Sequence, residues 1–557
     1  MPTETPSSRY SPVDTRVEEH VATSAVPKVK DAANDEDGYI NKMKHFLTTA
    51  TLANNSSKTK PSKNCNYSCT ILFILGFILS LFLTIFIWFT DLYTNELFKR
   101  LTIQNGSLLY DSWKEPPVRP LLCVYIFNYT NVNEFMNGDH PKLKVQEVGP
   151  YCYRETLYRV NITDHHNGSQ TFNEMKVQEY AYDASKGKDD DIIIVPDIPY
   201  ISAIALTIDE NFLVRNAMTS VLNHVSNFPF VTVSVHDFCF GYQDSVIRTL
   251  AGMAKFANKP VPFEKFGLLT KRIGVNPDRL TVTNGLDDLN QMGQVIQLNG
   301  KSMLHPWSTD ECNSVGGSDG MFFPRLKIQQ GETIHLFHKD SCRKLPMTFL
   351  AKEKIENGVI GHRYSLSVTT FNNSIPENKC YCTSTPCMPD GIFDMGKCST
   401  RSPVVVSRAH FLYSDPSLLD AVEGLSPDPN KHEFLWLIDP ILGITMETQM
   451  RIQLNIQVRN PHNYGTLSRI PDNTILPFTW LEIKTGGVSP KLSMFLFHLT
   501  FTLHWFQTFL MCLSLVGLLG TSFCLMRMLN RRLNKNIVII SNEVQLKDRH
   551  TEKIPIC

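Results

Sequence analysis

The chain has 557 residues, enough for one large domain or several small ones. Its 54 basic and 54 acidic side chains cancel formally, which excludes the strongly basic surface that nucleic-acid binding uses. Charged residues make up only 19 % of the chain, and two long uncharged stretches near its ends account for the low value.

Residues 1–69 are polar and carry little apolar periodicity, so they read as a disordered tail. An uncharged stretch follows between Lys63 and Asp91, with its apolar centre in 70–90. About 20 apolar residues cover a bilayer core as a helix, and the distance from Met1 makes this an uncleaved signal-anchor. A second span is expected at 506–526, before a tail at 527–557. Lys58, Lys60 and Lys63 precede the first span, while Arg527, Arg531, Arg532 and Lys535 follow the second. The positive-inside rule therefore places both termini in the cytoplasm and residues 91–505 outside or in a lumen. Trp88 and Trp505 fall at the two outer interfaces, where indole rings are enriched. Cys65, Cys69 and Cys524 flank the cytoplasmic ends, as palmitoylated cysteines do, and the role of a small buried apolar residue is an equal alternative.

The middle segment carries N-x-S/T sequons at Asn105, Asn128, Asn161, Asn167 and Asn372, the expected glycosylation sites of an exported domain. Sequons at Asn54, Asn55 and Asn66 lie on the cytoplasmic side and are expected to stay bare. Nine of the 14 cysteines are here, and Cys312, Cys342, Cys380, Cys382, Cys387 and Cys398 crowd together. An oxidising compartment favours disulfides over a zinc site, and the spacing lacks paired C-x2-C knuckles. Six cysteines allow fifteen pairings. Cys123, Cys152 and Cys239 are left over, the first two being candidate partners for each other.

Strand patterns dominate this segment. Ile452, Leu454, Ile456 and Val458 alternate with polar residues, as do Val231, Val233 and Val235. Ile192–Val195 and Val404–Val406 are β-branched runs suited to buried strands. Residues 213–225 have helical spacing, with Leu213, Val214, Ala217, Met218, Val221, Leu222 and Val225 on one half and Arg215, Asn216, Thr219 and Asn223 opposite. The expected class is α+β, a mainly antiparallel sheet with a helical cluster in one undivided ectodomain.

Several motifs in this order resemble the CD36 family of class B scavenger receptors, lysosomal membrane relatives and insect sensory neuron membrane proteins. They are Phe127-Asn128-Tyr129-Thr130-Asn131, Glu147-Val148-Gly149-Pro150-Tyr151, His410-Phe411, Val422–Asp428, His432 and Ile438-Asp439-Pro440. The resemblance covers about residues 70–530. It implies a β-barrel-like ectodomain crossed by a hydrophobic tunnel, with a helical bundle at its apex and disulfides Cys312–Cys380, Cys342–Cys398 and Cys382–Cys387. It also implies apolar lipids or lipid-carrying particles as ligands, a membrane as the second partner, and no cofactor; homo-oligomerisation stays open. Arg215, Thr219, Asn223 and His224 would belong to the apical ligand region. The stretch Asn223–Phe230 has no Lys or Arg, which counts against avid binding of polyanionic particles.

A G-x-S-x-G pattern at Gly316–Gly320 raises an esterase, but neither neighbour fits the strand and helix that a nucleophile elbow needs. His335 and His338 lack further ligands for a metal. The expectation is a non-enzymatic plasma-membrane receptor, with an endosomal or lysosomal sorting receptor, or a sensory co-receptor for lipid-like odorants, as alternatives.

Overall fold

Period-two alternation of apolar and polar side chains builds most of this chain into strands, and a computed structural model shows how they join. It describes residues 63–89, 100–208, 210–226, 228–256, 265–355, 357–382, 384–398, 402–460, 462 and 465–551. Of the tail read as disordered at 1–69, residues 1–62 lie outside them, and residues 63–69 are instead helical, continuous with the apolar run that follows. In chain order the strands are β1 (Leu121–Tyr129), β2 (Leu143–His165), β3 (Ser169–Tyr180), β4 (Ile192–Pro196), β5 (Phe230–Ser234), β6 (Gly274–Thr283), β7 (Val295–Leu298) and β8 (Ile334–His338). There follow β9 (Arg343–Lys354), β10 (Ile360–Leu366), β11 (Ile392–Asp394), β12 (Val404–Ser407), β13 (Val422–Glu423), β14 (Leu435–Ile438), β15 (Thr445–Gln457) and β16 (Ile475–Lys484).

One 14-stranded sheet runs β7-β6-β3-β2-β1-β16-β15-β14-β10-β9-β8, with β11 and β12 attached beside β15 and β13 beside β2; β4 and β5 form a separate pair. All pairings are antiparallel except β13 with β2. The path ends at β7 and β8, and the Gly316–Gly320 turn stitches these edges together. The Val295 N–H donates to the Gly317 carbonyl, the Ser318 N–H to His335, and the Phe337 N–H to Ser318. Gly317 sits at φ +104°, with the His335 carbonyl oxygen 2.9 Å from where a Cβ would stand. Only glycine tolerates both the conformation and the approach. The sheet is thereby a near-barrel with its two edge strands covered.

Among the described residues four disulfides are present: Cys312–Cys380, Cys342–Cys398, Cys382–Cys387 and Cys123–Cys152. The last joins directly opposed residues of β1 and β2. That register depends on a bulge beside Gly149, whose absent Cβ would lie 2.8 Å from the Val124 carbonyl oxygen. Cys239 is buried as a free thiol.

Helices α2 (Ile198–Thr207), α3 (Phe212–Val225) and α4 (Ser245–Phe256) pack on one another as the expected cluster. The α3 boundaries follow the sequence pattern, but its inward face does not. Thr219 and Leu222 are buried, while Leu213, Val214 and Val221 are exposed. Packing against α2 and α4, rather than the helix's own apolar stripe, sets its rotation. Val235 likewise leaves its expected strand: Ser234 caps a short helix that begins at that residue.

Among the described residues two helices are long and apolar enough to cross a membrane: α1 (Lys63–Phe89), and a run that begins in α5 (Pro490–Phe497) and continues into α6 (Leu503–Thr551). Both exceed the expected spans, and α6 continues through most of the segment read as a tail. Within residues 79–520, which form one compact unit, Thr84 Oγ1 donates to the Ser514 carbonyl at 3.4 Å. The parts of α1 and α6 outside that range belong to a second compact unit, where Arg532 Nη2 donates to Thr70 Oγ1 at 2.7 Å.

Candidate functional site

The curved sheet lines a partly open cavity of about 650 Å³, within the usual range of small-molecule sites. β15 points Met450, Ile452 and Leu454 into it, and β16 adds Leu481 and Ile483. Alternate residues of a strand share a face, so Gln453, Trp480 and Glu482 lie on the opposite one. Val406, Leu268 and Met395 extend the apolar wall, and the Cys342–Cys398 disulfide borders it.

The rest of the wall is charged. Glu174 and Lys176, two residues apart on β3, both line the cavity, as do Lys271, Arg272 and Lys339. Lys339 Nζ donates to Glu174 Oε2. Glu155 of β2 takes Lys176 at 3.0 Å and Arg272 at 3.2 Å, and Gln178 Nε2 donates to it at 3.0 Å. Burial works to raise the Glu174 carboxyl, but the Lys176 and Lys339 ammonium groups outweigh it and hold it at about 2. Glu155 is likewise raised by burial and pulled down further by Arg272 and Lys176, to about 2. Both carboxylates therefore stay ionised throughout the physiological range. None of these six charged residues stood out in the sequence, and the period-two pair Glu174 and Lys176 has the pattern that normally marks a solvent face.

The motif residues spread along the chain meet elsewhere. His410 Nε2 donates to Glu147 Oε2 at 2.6 Å, and Trp480 Nε1 donates to the same oxygen at 2.8 Å. The His432 ring stacks on His410 at 4.3 Å and 8°, and Tyr125 stacks on Trp480 at 3.7 Å. Glu147, His410 and His432 are close enough to raise a metal site, but the chemistry opposes one. Backbone N–H groups of Ser426 and Asp428 donate to the two Nδ1 atoms, so each neutral ring carries its proton on Nε2, where a metal would have to bind. Parallel rings also cannot aim in-plane lone pairs at one ion. The cluster is a clamp that ties β2 and β16 to the 408–432 segment. Burial and the neighbouring His410 push His432 down to about 4.

The other sequence candidates are dispersed. His224 is exposed on α3, Asn223 Oδ1 accepts from the Tyr200 hydroxyl at 2.9 Å, and Thr219 faces inward. Arg215 is half-buried, with no hydrogen-bond partner at Nε. Arg215, Thr219 and Asn223, four residues apart, share one face of α3, and Thr219 on that face is buried. Ser318 is fully buried and its hydroxyl donates to the Phe322 carbonyl at 2.5 Å, so the G-x-S-x-G pattern is the barrel seam. His335 supplies a seam carbonyl, and His338 hydrogen-bonds Ser341 at 2.9 Å.

Among the sequons, Asn105, Asn161 and Asn167 are exposed and Asn372 is half-buried. Asn128 Oδ1 accepts from the Ile194 N–H at 2.8 Å, which leaves Nδ2 as the atom for a glycan. Cys65 and Cys69 fall in the first turns of α1, and the Cys524 thiol is exposed on α6.

Among the described residues, two helices of membrane-spanning length flank in sequence a disulfide-bonded near-barrel with a partly open cavity of small-molecule size, the pattern of a membrane protein with two candidate spans. The family model of the CD36 family matches residues 74–528, and the chain belongs to that family, among the class B scavenger receptors and their relatives. It is 28 % identical to bovine (Bos taurus) scavenger receptor class B member 1 over 455 residues, covering 80 % of this chain and 87 % of that one. It is 30 % identical to rat (Rattus norvegicus) lysosome membrane protein 2 over 399 residues, 71 % and 81 % of the two chains. Sensory neuron membrane protein 1 of Antheraea polyphemus is 31 % identical over 411 residues, 70 % and 76 % of the two chains.

Proposed function

We propose that this chain is a cell-surface class B scavenger receptor that binds apolar lipids in the barrel cavity and promotes their uptake. Carotenoids, sterol esters, fatty acids and phospholipids are the candidate cargo. The supporting observation is the cavity of about 650 Å³ with its wall from β12, β15 and β16. Moving apolar lipid from water onto such a wall gains about 25 cal/mol per Å² buried, so transfer needs a dry path and no chemical step. In this reading both termini are cytoplasmic, the spans are 70–90 and 506–526, and the five ectodomain sequons carry glycans. Cys65, Cys69 and Cys524 are candidate palmitoylation sites. The test expresses the chain in cells and measures uptake of labelled carotenoid, sterol ester and fatty acid in parallel. Uptake no higher than in mock-transfected cells, with the protein at the surface, refutes it.

A second reading, capture of a protein partner by a sorting receptor, is favoured by the exposed Leu213, Val214 and Val221 of α3. It predicts a lysosomal or endosomal steady state and no lipid uptake in the same cells.

A further inference from the structure

Resting on the lipid-binding reading, we propose that Glu174 and Glu155 make the cavity selective for uncharged lipids, such as sterols and esters, against fatty-acid anions. Three partly buried cations line the cavity and are held by two carboxylates: Lys339 on Glu174, and Lys176 and Arg272 both on Glu155 just behind the lining, while Asp278 and Asp340 add two more carboxylates to the lining itself. Lys271, the one lining cation without an ion partner among the described residues, is exposed, where water and salt screen it.

A fatty-acid carboxylate entering this wall must displace a buried carboxylate or share its cation at close range. Either way two like charges meet in a partly desolvated site. An uncharged oxygen meets no such obstacle. An ammonium group has three N–H donors; Lys339 uses one on Glu174, and the others can reach an ester carbonyl or hydroxyl without breaking the pair. The apolar wall formed by Ile452, Leu454, Leu481 and Ile483 then takes the hydrocarbon.

The pairing also indicates how to invert the preference. Glu174→Gln keeps the shape and one acceptor but removes a charge, leaving Lys339 and its neighbour Lys176 with a local positive excess. A fatty-acid carboxylate would then replace the lost one. Glu155→Gln frees Lys176 and Arg272 by a second, independent route. Glu174→Gln combined with Lys339→Gln removes one charge of each sign and should restore exclusion.

The experiment uses the full chain in phosphatidylcholine nanodiscs at pH 7.4, labelled by diazirine analogues of a sterol ester and of a fatty acid. Saturation of labelling on peptides containing residues 450–454 and 481–483 is read by mass spectrometry. In the unsubstituted protein the ester should saturate at a concentration at least tenfold lower than the fatty acid. Glu174→Gln and Glu155→Gln should each tighten fatty-acid labelling about tenfold and leave the ester within twofold, and the double variant should revert. Equal labelling by the two lipids in the unsubstituted protein overturns the selectivity, as does an unchanged ratio in both single variants. Failure of both probes to label these peptides overturns the cavity-binding reading itself, an outcome distinct from loss of selectivity.

Discussion

Asp197 gives the sharpest stability prediction. It caps α2, its Oδ1 accepting from the Tyr200 N–H at 2.9 Å, while Oδ2 has only a long 3.4 Å bond from the Ser226 hydroxyl. The side chain is buried, and so is Asp244, which caps α4 through the Val246 and Ile247 N–H groups. Tyr242 is a third titratable neighbour. Burial, reinforced by the Asp244 charge, raises the Asp197 carboxyl from 3.8 to about 7. The folded state thus keeps a proton that the unfolded chain has lost between those values. Stability from this group is present at low pH and is lost as pH rises through about 7. At about 1.36 kcal/mol per pK unit, the ionised carboxylate costs about 4 kcal/mol, and about 2–3 kcal/mol of that is recovered between pH 8 and pH 5. Asn is an equally good N-cap, so Asp197→Asn should keep the Tyr200 bond and remove the charge. Thermal unfolding of the full chain in nanodiscs, followed by tryptophan fluorescence, should show the variant melting several °C higher at pH 8. Its advantage should shrink by about half at pH 5. A variant less stable than the unsubstituted protein at pH 8, or a gap independent of pH, refutes the reasoning.

His432 should act in the opposite direction. Its folded value near 4 lies below its ordinary 6.5, so the unfolded state binds the extra proton and stability falls as pH drops from 6.5 toward 4. Replacing it in His432→Gln should reduce the acid-side loss by about 2 kcal/mol at pH 5, read from the same melting curves; an unchanged acid limb contradicts it. Arg159→Met should cost about 3–5 kcal/mol, because it leaves the buried Asp319, 3.0 Å away in a pair with side chains 4 % and 3 % exposed, without its partner. Denaturation showing a loss under about 1 kcal/mol would contradict that account of the pair. Glycosidase digestion should shift the protein's mobility through Asn105, Asn128, Asn161, Asn167 and Asn372, and replacing Asn54, Asn55 and Asn66 should leave the shift intact. A shift abolished by those three replacements alone would reverse the topology.

Features carried by local sequence were legible. The apolar runs of α1 and α6, the alternation in β15 and the limits of α3 each follow from residues a few positions apart. The antiparallel near-barrel and the three clustered disulfides came through the resemblance, since spacing leaves fifteen pairings open. What sequence reasoning missed depends on long-range register. Glu174 and Lys176 look like a solvent face until β2 and β6 pair on either side of β3 and turn that face inward. Gly317 and Ser318 resemble a nucleophile motif until their backbone is seen joining β7 to β8. The Cys123–Cys152 bond, by contrast, was a candidate pairing of the leftover cysteines, and the offset beside Gly149 is what aligns it. Glu147, His410 and His432 were visible as motif members, but their meeting point depends on the 408–432 segment folding onto β2 and β16.

The central claim, that lipid occupies the barrel cavity on its way into the cell, is tested most directly by filling that cavity. Ile452→Trp and Leu481→Trp place bulk on the apolar wall from two strands. Uptake of labelled sterol ester by cells displaying each variant at the surface should fall to a tenth or less of the unsubstituted level, with surface abundance and glycosylation unchanged. Full uptake by both properly displayed variants would contradict the account.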